Sequence, residues 1–486
     1  MFSVLMFASV AQEANIKQLC IGDQWSSGYG IKKIGSNYIV GGLTAYTGEN
    51  SVFLFMGVMD QNGDILQFDT LQETNYIISL NLNNDIIIRD NKAYWSSIGS
   101  GSFIIYSYDI NTNEVEEHYI LETFNLNFSG VHFCFSENQD RIYITGIFNE
   151  GNEIDFGILM IENDTIIQYK ESIPGHRAFG RKLFQRPEGR ILSLSEYRNG
   201  DTITVKLDVF DSELNNLEAR IIEQGQNIQV GLTDAIIDSE GQIVYCALRP
   251  GEVIIDFIPR TTWFPQISKI GTDNSLEWTT EIGYGFNDLD QFSNWYAIEE
   301  AENSDGYFVA GTSYFNKLEE DTIISKANVV KLSSIGNVEW YREFVSIDTT
   351  RALHEFRGIS TDNAGGMIAV GFDQHLFPAD KPYHFLYIRL DENGDLDTTV
   401  STLLIEPTNP LLKLYPNPSS GIYKIDYNEV NNPIKTIKVY NSEGMIVKQV
   451  LGSFKFLSLT EMTSGSYFVI FEFNDKTIMV EKVIKV

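Results

Sequence analysis

Three observations predict an all-β fold for this 486-residue chain. Runs of five to eight residues rich in Tyr, Phe, Ile and Val, alternating with period 2, recur along its whole length. No stretch sustains apolar residues at i, i+3, i+4 and i+7, the pattern that would give an amphipathic helix. Gly, Asn and Asp punctuate the runs, as tight hairpins require, because these residues tolerate positive φ. With 43% hydrophobic and 13% aromatic residues the chain can bury a large core, and its length demands either one large β domain with an appendage or several domains.

The first element is MFSVLMFASVA, an apolar run ending in the small-x-small spacing of Ser9-Val10-Ala11. Residues 1–11 read as a signal peptide lacking its basic start, with a buried first strand as the alternative. A bilayer span takes about 18 or more apolar residues, so this run is too short and no transmembrane segment is expected.

A repeat organises the next 390 or so residues, at a unit length of about 40 to 60 residues. KIGTDNSLEW from Lys269 and KLSSIGNVEW from Lys331 share one register 62 residues apart. VMDQNGDIL from Val58 and RLDENGDLD from Arg389 share the first half, with looser copies at Tyr108, Ile161 and Phe210. The turn markers fall at positions 60, 109, 162, 211, 271, 333 and 391. A second turn precedes each marker, beginning at Ile34, Asp90, Glu137, Arg186, Asp238, Asn303 and Asn363. Each unit is therefore two hairpins, or four strands, as in NWYAIEEA, YFVAGTSY, SKANVVKL and VEWYREF. Units of this kind are the sequence signature of a β-propeller, and seven of them predict a seven-bladed ring over residues 14–405. Closure is open to two readings: Ala14 to Trp25 pairs with the last blade, or Thr398 to Ile405 supplies that strand. Trp278 and Trp340, at equivalent fourth-strand positions, are expected to pack between blades. The repeats resemble the propeller-like repeats, with G-Y-x-V-x-G and K-L-x-x-x-G-x-x-x-W, of exported Bacteroidetes proteins, a resemblance that carries no catalytic residue.

The formal charge of −31 is uneven: Leu412 to Val486 holds nine Lys and seven Asp or Glu, for +2, leaving −33 for the rest. Such a field repels phosphate backbones and anionic headgroups, so nucleic acid is excluded as a partner. Cys20, Cys134 and Cys246 are odd in number and far apart, so no disulfide framework or CxxC metal site is present and each is expected as a small buried hydrophobe.

Candidate chemistry is sparse. DQNGD at Asp60 to Asp64 and DENGDLD at Asp391 to Asp397 place carboxylates in turns, but neither has the Glu six residues beyond its Gly that a calcium loop needs. They read as Asn-Gly hairpins; calcium is the one cofactor left open, and no metal site is predicted. His118, His132, His176, His354, His375 and His384 form no HExxH or other tight pair and are expected on surfaces or in packing, with His375 and His384 flanking a surface loop. Ser333 and Gly336 to Trp340 echo the structural box of sialidase propellers without its Asp. Arg351 and Arg357 with Glu355 are placed at a channel mouth and read as a solvated ion group. No GxSxG, Walker loop or Rossmann fingerprint occurs, so no catalytic residue is assigned.

Four of the twelve prolines fall between Pro407 and Pro418, so residues 406–413 read as a semi-rigid linker. IYKIDY, IKTIKVY, MIVKQVL, FLSLTEMTSGSYFVIFEF and KTIMVEKVIKV follow, predicting a small antiparallel β-sandwich over 414–486. LYPNPSSG, IKVYNSEGMIV, LTEMTSGSYFV and the terminal KVIKV together resemble the C-terminal sorting domain of the type IX secretion system in Bacteroidetes. On that resemblance Pro416, Asn417 and Pro418 match the opening motif, Asn441 and Gly444 the central turn, and Gly465, Tyr467, Lys482 and Lys485 the closing motifs. The resemblance implies partnership with the secretion machinery and a secreted or cell-surface location.

The expectation is thus an exported propeller that binds a glycan or protein ligand. The alternative is a propeller-fold hydrolase or lyase with its site at the channel mouth, assembled from residues distant in sequence.

Overall fold

A computed structural model describes residues 17–396 and 412–486 except for internal stretches. Those stretches are 20–24, 46–51, 73–78, 81–84, 100–101, 123–126, 138–139, 151–152, 164, 173–175, 201, 227–230, 256–257, 283–291, 318–321, 345–351, 376–383, 416, 418, 428–433, 442–445, 452–455 and 474–477. The signal-peptide reading of residues 1–11, the linker reading up to Leu411 and the strand alternative at Thr398 to Ile405 lie outside the described residues. The chain divides into two compact units, Met1–Thr402 and Leu403–Val486.

The described residues of the first unit are all strand and turn, in consecutive antiparallel groups. The first group is Trp25–Ile34, Asn37–Ala45, Val52–Met59 and Ile65–Gln72. In the second, Ser79–Leu80 and Ile87–Arg89 both pair with Lys92–Gly99, followed by Ser102–Asp109 and Glu114–Glu122. The third runs Phe128–Phe135, Arg141–Glu150, Glu153–Glu162 and Thr165–Glu171, and the fourth Arg177–Gln185, Ile191–Asn199, Thr202–Phe210 and Asn216–Gln226. The fifth is Leu232–Ile237, Ile243–Ile255, Ile258–Ile270 and Leu276–Glu281; the sixth is Phe292–Glu300, Gly306–Lys317, Thr322–Ser333 and Val338–Phe344. One parallel bridge, Ile154 to Arg177, joins the third and fourth groups into an eight-stranded sheet, and Trp263 to Phe292 does the same for the fifth and sixth. The seventh group has three strands of its own, Ala352–Thr361, Met367–His375 and His384–Leu390. Its fourth strand is Lys17–Leu19 from the start of the chain, with Lys17 opposite Tyr387 and Leu19 opposite Phe385. The first of the two closure readings is therefore the observed pairing.

Hairpin chemistry explains the recurring turns. Asp60, Asp211, Asp238, Asp362 and Asp391 each accept hydrogen bonds through Oδ1 from the backbone N–H groups two and four residues on. The carboxylate closes the turn, and the residue three positions on adopts positive φ, as at Gly63 and Gly394. At Gly394 (φ 76°) a Cβ would also lie 2.7 Å from the Trp340 ring. Residues 60–64 and 391–395 are thus hairpins built on Asx bonds.

Each group packs face to face on the next through its own apolar cluster. Phe308, Val329 and Trp340 of the sixth meet Phe356, Ile359 and Leu386 of the seventh. Ile368, Val370, Phe385 and Tyr387 of the seventh meet Ile31, Tyr38, Val40 and Phe55 of the first, so the last group packs on the first. Polar donors on one group also bond turn carbonyls of its neighbour. Trp278 Nε1 donates to Ser334 O, Trp340 Nε1 to Glu392 O, and Tyr387 Oη to Gln61 O. The two equivalent tryptophans therefore sit between groups, as their repeat position predicted.

In the second unit Leu412–Tyr415, Ile422–Tyr427 and Phe456–Ser458 form one sheet. Ile434–Tyr440, Ile446–Leu451, Gly465–Phe473 and Ile478–Lys485 form another. Leu414, Tyr423, Ile425 and Leu457 from the first share a core with Ile437, Val439, Val469, Phe471 and Val483 from the second.

Candidate functional site

The first strand of each group runs beside the first strand of the next: Trp25–Ile34 beside Ala352–Thr361, that beside Phe292–Glu300, then Leu232–Ile237, Arg177–Gln185 and Phe128–Phe135. These strands share one irregularity. In six groups the pairing with the second strand slips by a residue, stepping over Tyr29, Val131, Arg181, Thr233, Tyr296 or Arg357. A bulge leaves one residue out of the ladder and re-aims its side chain, and bulges cluster near functional sites. The repeat thus sets one out-of-ladder residue at matching register in six of the groups.

Three of those residues come together. The Arg357 guanidinium carbon lies 3.6 Å from the Tyr296 ring centroid and 5.7 Å from that of Phe372, and Phe372 in turn packs on Tyr29 at 5.9 Å. Arg357 Nη2 donates to Glu355 Oε2. Arg357 is 8% exposed, and its Nε and Nη1 are buried without a hydrogen-bond partner. Burial raises the Glu355 carboxyl above the usual range against the pull of Arg357. Burial likewise pushes the Tyr296 phenol up to about 12, against the lowering effect of Arg357. Asn294 Nδ2 donates to Tyr296 Oη at 2.9 Å. The solvated ion group expected at Glu355 and Arg357 is therefore corrected: both side chains are buried because the bulge turns Arg357 onto the Tyr296 face. Arg351 lies outside the described residues.

The residue after the bulge is ionisable in three consecutive groups: His132, Lys182 and Asp234. Lys182 Nζ donates to Asp234 Oδ1 at 2.6 Å and to Asp85, an acid from the second group. His132 Nε2 lies 3.4 Å from Asp85 Oδ2, while its Nδ1 accepts from Leu183 N–H at 3.1 Å. Asp234 is further held by Ala235 N–H and by Ile298 N–H of the sixth group. Nearby, Lys32 of the first group donates to both oxygens of Glu299 of the sixth. Burial penalises the Lys182 ammonium, but Asp234 and Asp85 outweigh it and leave its pKa above the ordinary lysine value. Burial also opposes ionisation of Asp85, yet Lys182 and His132 hold its carboxyl well below the usual range. Asp234 is pushed up to about 6, chiefly by burial, with Lys182 pulling the other way. Burial lowers His132 despite Asp85. This network ties the first strands together and leaves its lysine saturated, which fits a structural tie.

The other predicted positions disperse. His118 is exposed on the outer strand of the second group, His176 precedes the fourth, and His354 Nδ1 lies 3.2 Å from Asp373 Oδ1. His384 is buried at the start of its strand, with Asp373 opposite, and the connection between His375 and His384 lies outside the described residues. The side chain of His375 lies outside the described residues. Cys134 and Cys246 are buried, with the Cys134 thiol pushed up to about 12 by burial, while Cys20 lies outside the described residues. Among the described residues no group of three His, Cys, Asp or Glu side chains is placed to hold a metal ion.

In the second unit the opening and closing motifs are knitted together. Asn417 Nδ2 donates to Lys482 O and Asn417 Oδ1 accepts from Ile484 N–H, both at 2.8 Å. Ser419 pairs with Lys485, Lys485 Nζ donates to Met462 O, and buried Tyr467 donates to Thr463 O at 2.7 Å. Gly465 starts its strand and Asn441 follows the strand Ile434–Tyr440, whereas Pro416, Pro418 and Gly444 lie outside the described residues.

Comparison with known proteins picks out the end of the chain. Residues 413–486 match the secretion system C-terminal sorting domain. No curated protein matches the sequence. Solved structures resemble parts of the chain at low identity. The β-propeller domain of the Trilobed protease from Pyrococcus furiosus matches at 10% identity and a TM-score of 0.39, over 75% of this chain and 93% of that one. An ulvan lyase of polysaccharide lyase family PL25 matches at 8% and 0.45, over 78% and 97%. The GH93 α-L-arabinofuranosidase of Fusarium graminearum matches at 9% and 0.42, over 65% and 95%. Scores below 0.5 bring no activity from these proteins to this chain. No helix is long and apolar enough to cross a membrane among the described residues. The chain ends in a type IX secretion system C-terminal sorting domain that follows a propeller-like unit, and it is exported to the cell surface or the extracellular space.

Proposed function

We propose that the first unit is a seven-bladed β-propeller, followed by a small antiparallel β-sandwich, and that it binds a glycan through the bulge residues of its first strands. Each four-strand group is one blade, and Lys17–Leu19 completes the last. The carrying observation is Arg357, a buried guanidinium stacked on Tyr296 with two donors unpaired. Unpaired buried donors cost about 1–3 kcal/mol each, more when charged, and a ligand carbonyl, hydroxyl or carboxylate would satisfy them. Tyr29, Tyr296 and Phe372 supply the aromatic walls that sugar-binding pockets use beside a few fixed polar groups.

The second reading is a hydrolase or lyase at the same place. It is favoured by Glu355, whose raised pKa suits a proton donor beside Arg357. Screening the full chain and Arg357→Gln on a glycan array separates the two. Capture lost in the variant, without product release, supports binding; sugar products from any array glycan support the enzyme.

The sorting role belongs to the second unit. Asn417, Tyr467, Lys482 and Lys485 hold the fold that the secretion machinery reads, with Pro416, Pro418, Asn441, Gly444 and Gly465 completing the motif set.

A further inference from the structure

Resting on the glycan-binding reading, we infer that Arg177, Arg181 and Arg198 around Phe179 form an anion subsite, so that the ligand is an acidic polysaccharide bearing carboxylate or sulfate groups.

The three guanidinium carbons lie 5.8, 5.2 and 5.0 Å from the centroid of one ring, that of Phe179. Arg181 is the bulge residue of the fourth group, and the other two flank it on the first and second strands. Arg177 stands directly opposite Arg198 in the strand pairing. Like charges placed so are destabilising, and neither lies across from an acid that would relieve them. One carboxylate serves two of the three. Glu196 Oε2 accepts from Arg181 Nη2 at 2.9 Å and Arg198 Nη2 at 3.3 Å, while its Oε1 is taken by Leu232 N–H. The neighbouring Glu171 is committed to Lys206 and Tyr197. The Nε atoms of Arg181 and Arg198 are buried without a hydrogen-bond partner, and Arg177 is exposed.

Three arginines against one glutamate give a local excess of positive charge on a chain of net charge −31. Charges are screened beyond about 8 Å at physiological salt, so this patch acts on its own neighbourhood rather than through the field of the whole chain. Guanidinium forks match carboxylate and sulfate oxygens in pairs. The acidic body disfavours a nucleic acid polymer, and export places the patch among extracellular polymers, where acidic polysaccharides carry these groups at sugar spacing.

The test is affinity electrophoresis of the full chain through gels holding polygalacturonate, dextran sulfate or neutral dextran at physiological salt, where the field of the acidic body is screened. Retardation by polygalacturonate or dextran sulfate but not by dextran is expected, the stronger of the two naming the anion. R177Q should weaken it about tenfold, the worth of a charged hydrogen bond, and R177Q with R198Q should abolish it. R177Q should also raise or preserve the melting temperature, since it removes the opposed charge, which excludes misfolding as the cause of lost binding. No retardation by either acidic polymer, or unchanged retardation of the double variant, overturns the inference. If both polymers fail while Arg357→Gln still abolishes capture of a neutral array glycan, the acidic class falls and the binding reading stands.

Discussion

The Arg357 guanidinium lies 3.6 Å from the centroid of the Tyr296 ring, although the two residues belong to different strand groups and sit 61 positions apart. Each is the residue that a bulge drops from the ladder in its own first strand. A buried cation over an aromatic face is worth about 2 kcal/mol or more. Tyr296→Leu should therefore lower stability by roughly that amount. A double-mutant cycle with Arg357→Gln in urea should return the coupling, and additive effects would deny it.

Lys182 neutralises two buried carboxylates at once. Lys182→Met should cost about 3–5 kcal/mol, because Asp85 and Asp234 are left facing each other without a cation. Adding Asp234→Asn should recover part of the loss. Equilibrium denaturation of both variants measures this, and a Lys182→Met chain as stable as the parent would remove the network from the account.

Acid should loosen the same network through His132. Its folded pKa is lowered, so its contribution is present above the unfolded value of about 6.5 and is lost as pH falls through the folded value. Protonation of Nδ1 would place an N–H against the Leu183 N–H that it now accepts. Asp234 acts in the opposite sense, since its raised pKa makes protonation stabilising as pH falls through about 6. The comparison of the parent with His132→Gln isolates the histidine. The melting-temperature gap between them should narrow or reverse from pH 7 to pH 5, and a constant gap would exclude His132.

Export depends on the second unit. Deleting 414–486 should leave the first unit in the periplasm, read by fractionation of the host. Asn417→Ala removes two bonds to the terminal strand, each worth about 0.5–1.5 kcal/mol, and should lower the melting temperature of the second unit. Normal surface delivery of the deleted chain would refute the sorting role.

The strand pattern was legible because period-2 alternation and turn residues are local signals. The KIGTDNSLEW and KLSSIGNVEW repeat located Trp278 and Trp340 between groups. Each tryptophan covers a turn of the next group, and only a repeat keeps that register. The site was less legible. Glu355 and Arg357 look like a surface pair because alternate charged residues usually face solvent, and no local rule announces the bulge that buries them. The Asp85, His132, Lys182 and Asp234 network was missed for a related reason: its members are up to 149 residues apart and meet only once four groups are assembled. The usable signal was positional, a Gly two residues before His132 and Lys182 at the same register of the repeat. In the second unit PNP and KVIKV stand at opposite ends of the sequence, and Asn417 joins them in one hydrogen-bonded structure.

The central claim is that the buried Arg357 donors meet a bound sugar. Glycan-array capture by the full chain, compared with Arg357→Gln at a temperature well below the melting transition of both chains, tests it most directly. The account predicts that the parent retains at least one glycan without releasing products and that the variant loses it by about tenfold or more, the worth of a charged hydrogen bond. Equal capture by both chains, or capture of no glycan by the parent, would contradict it.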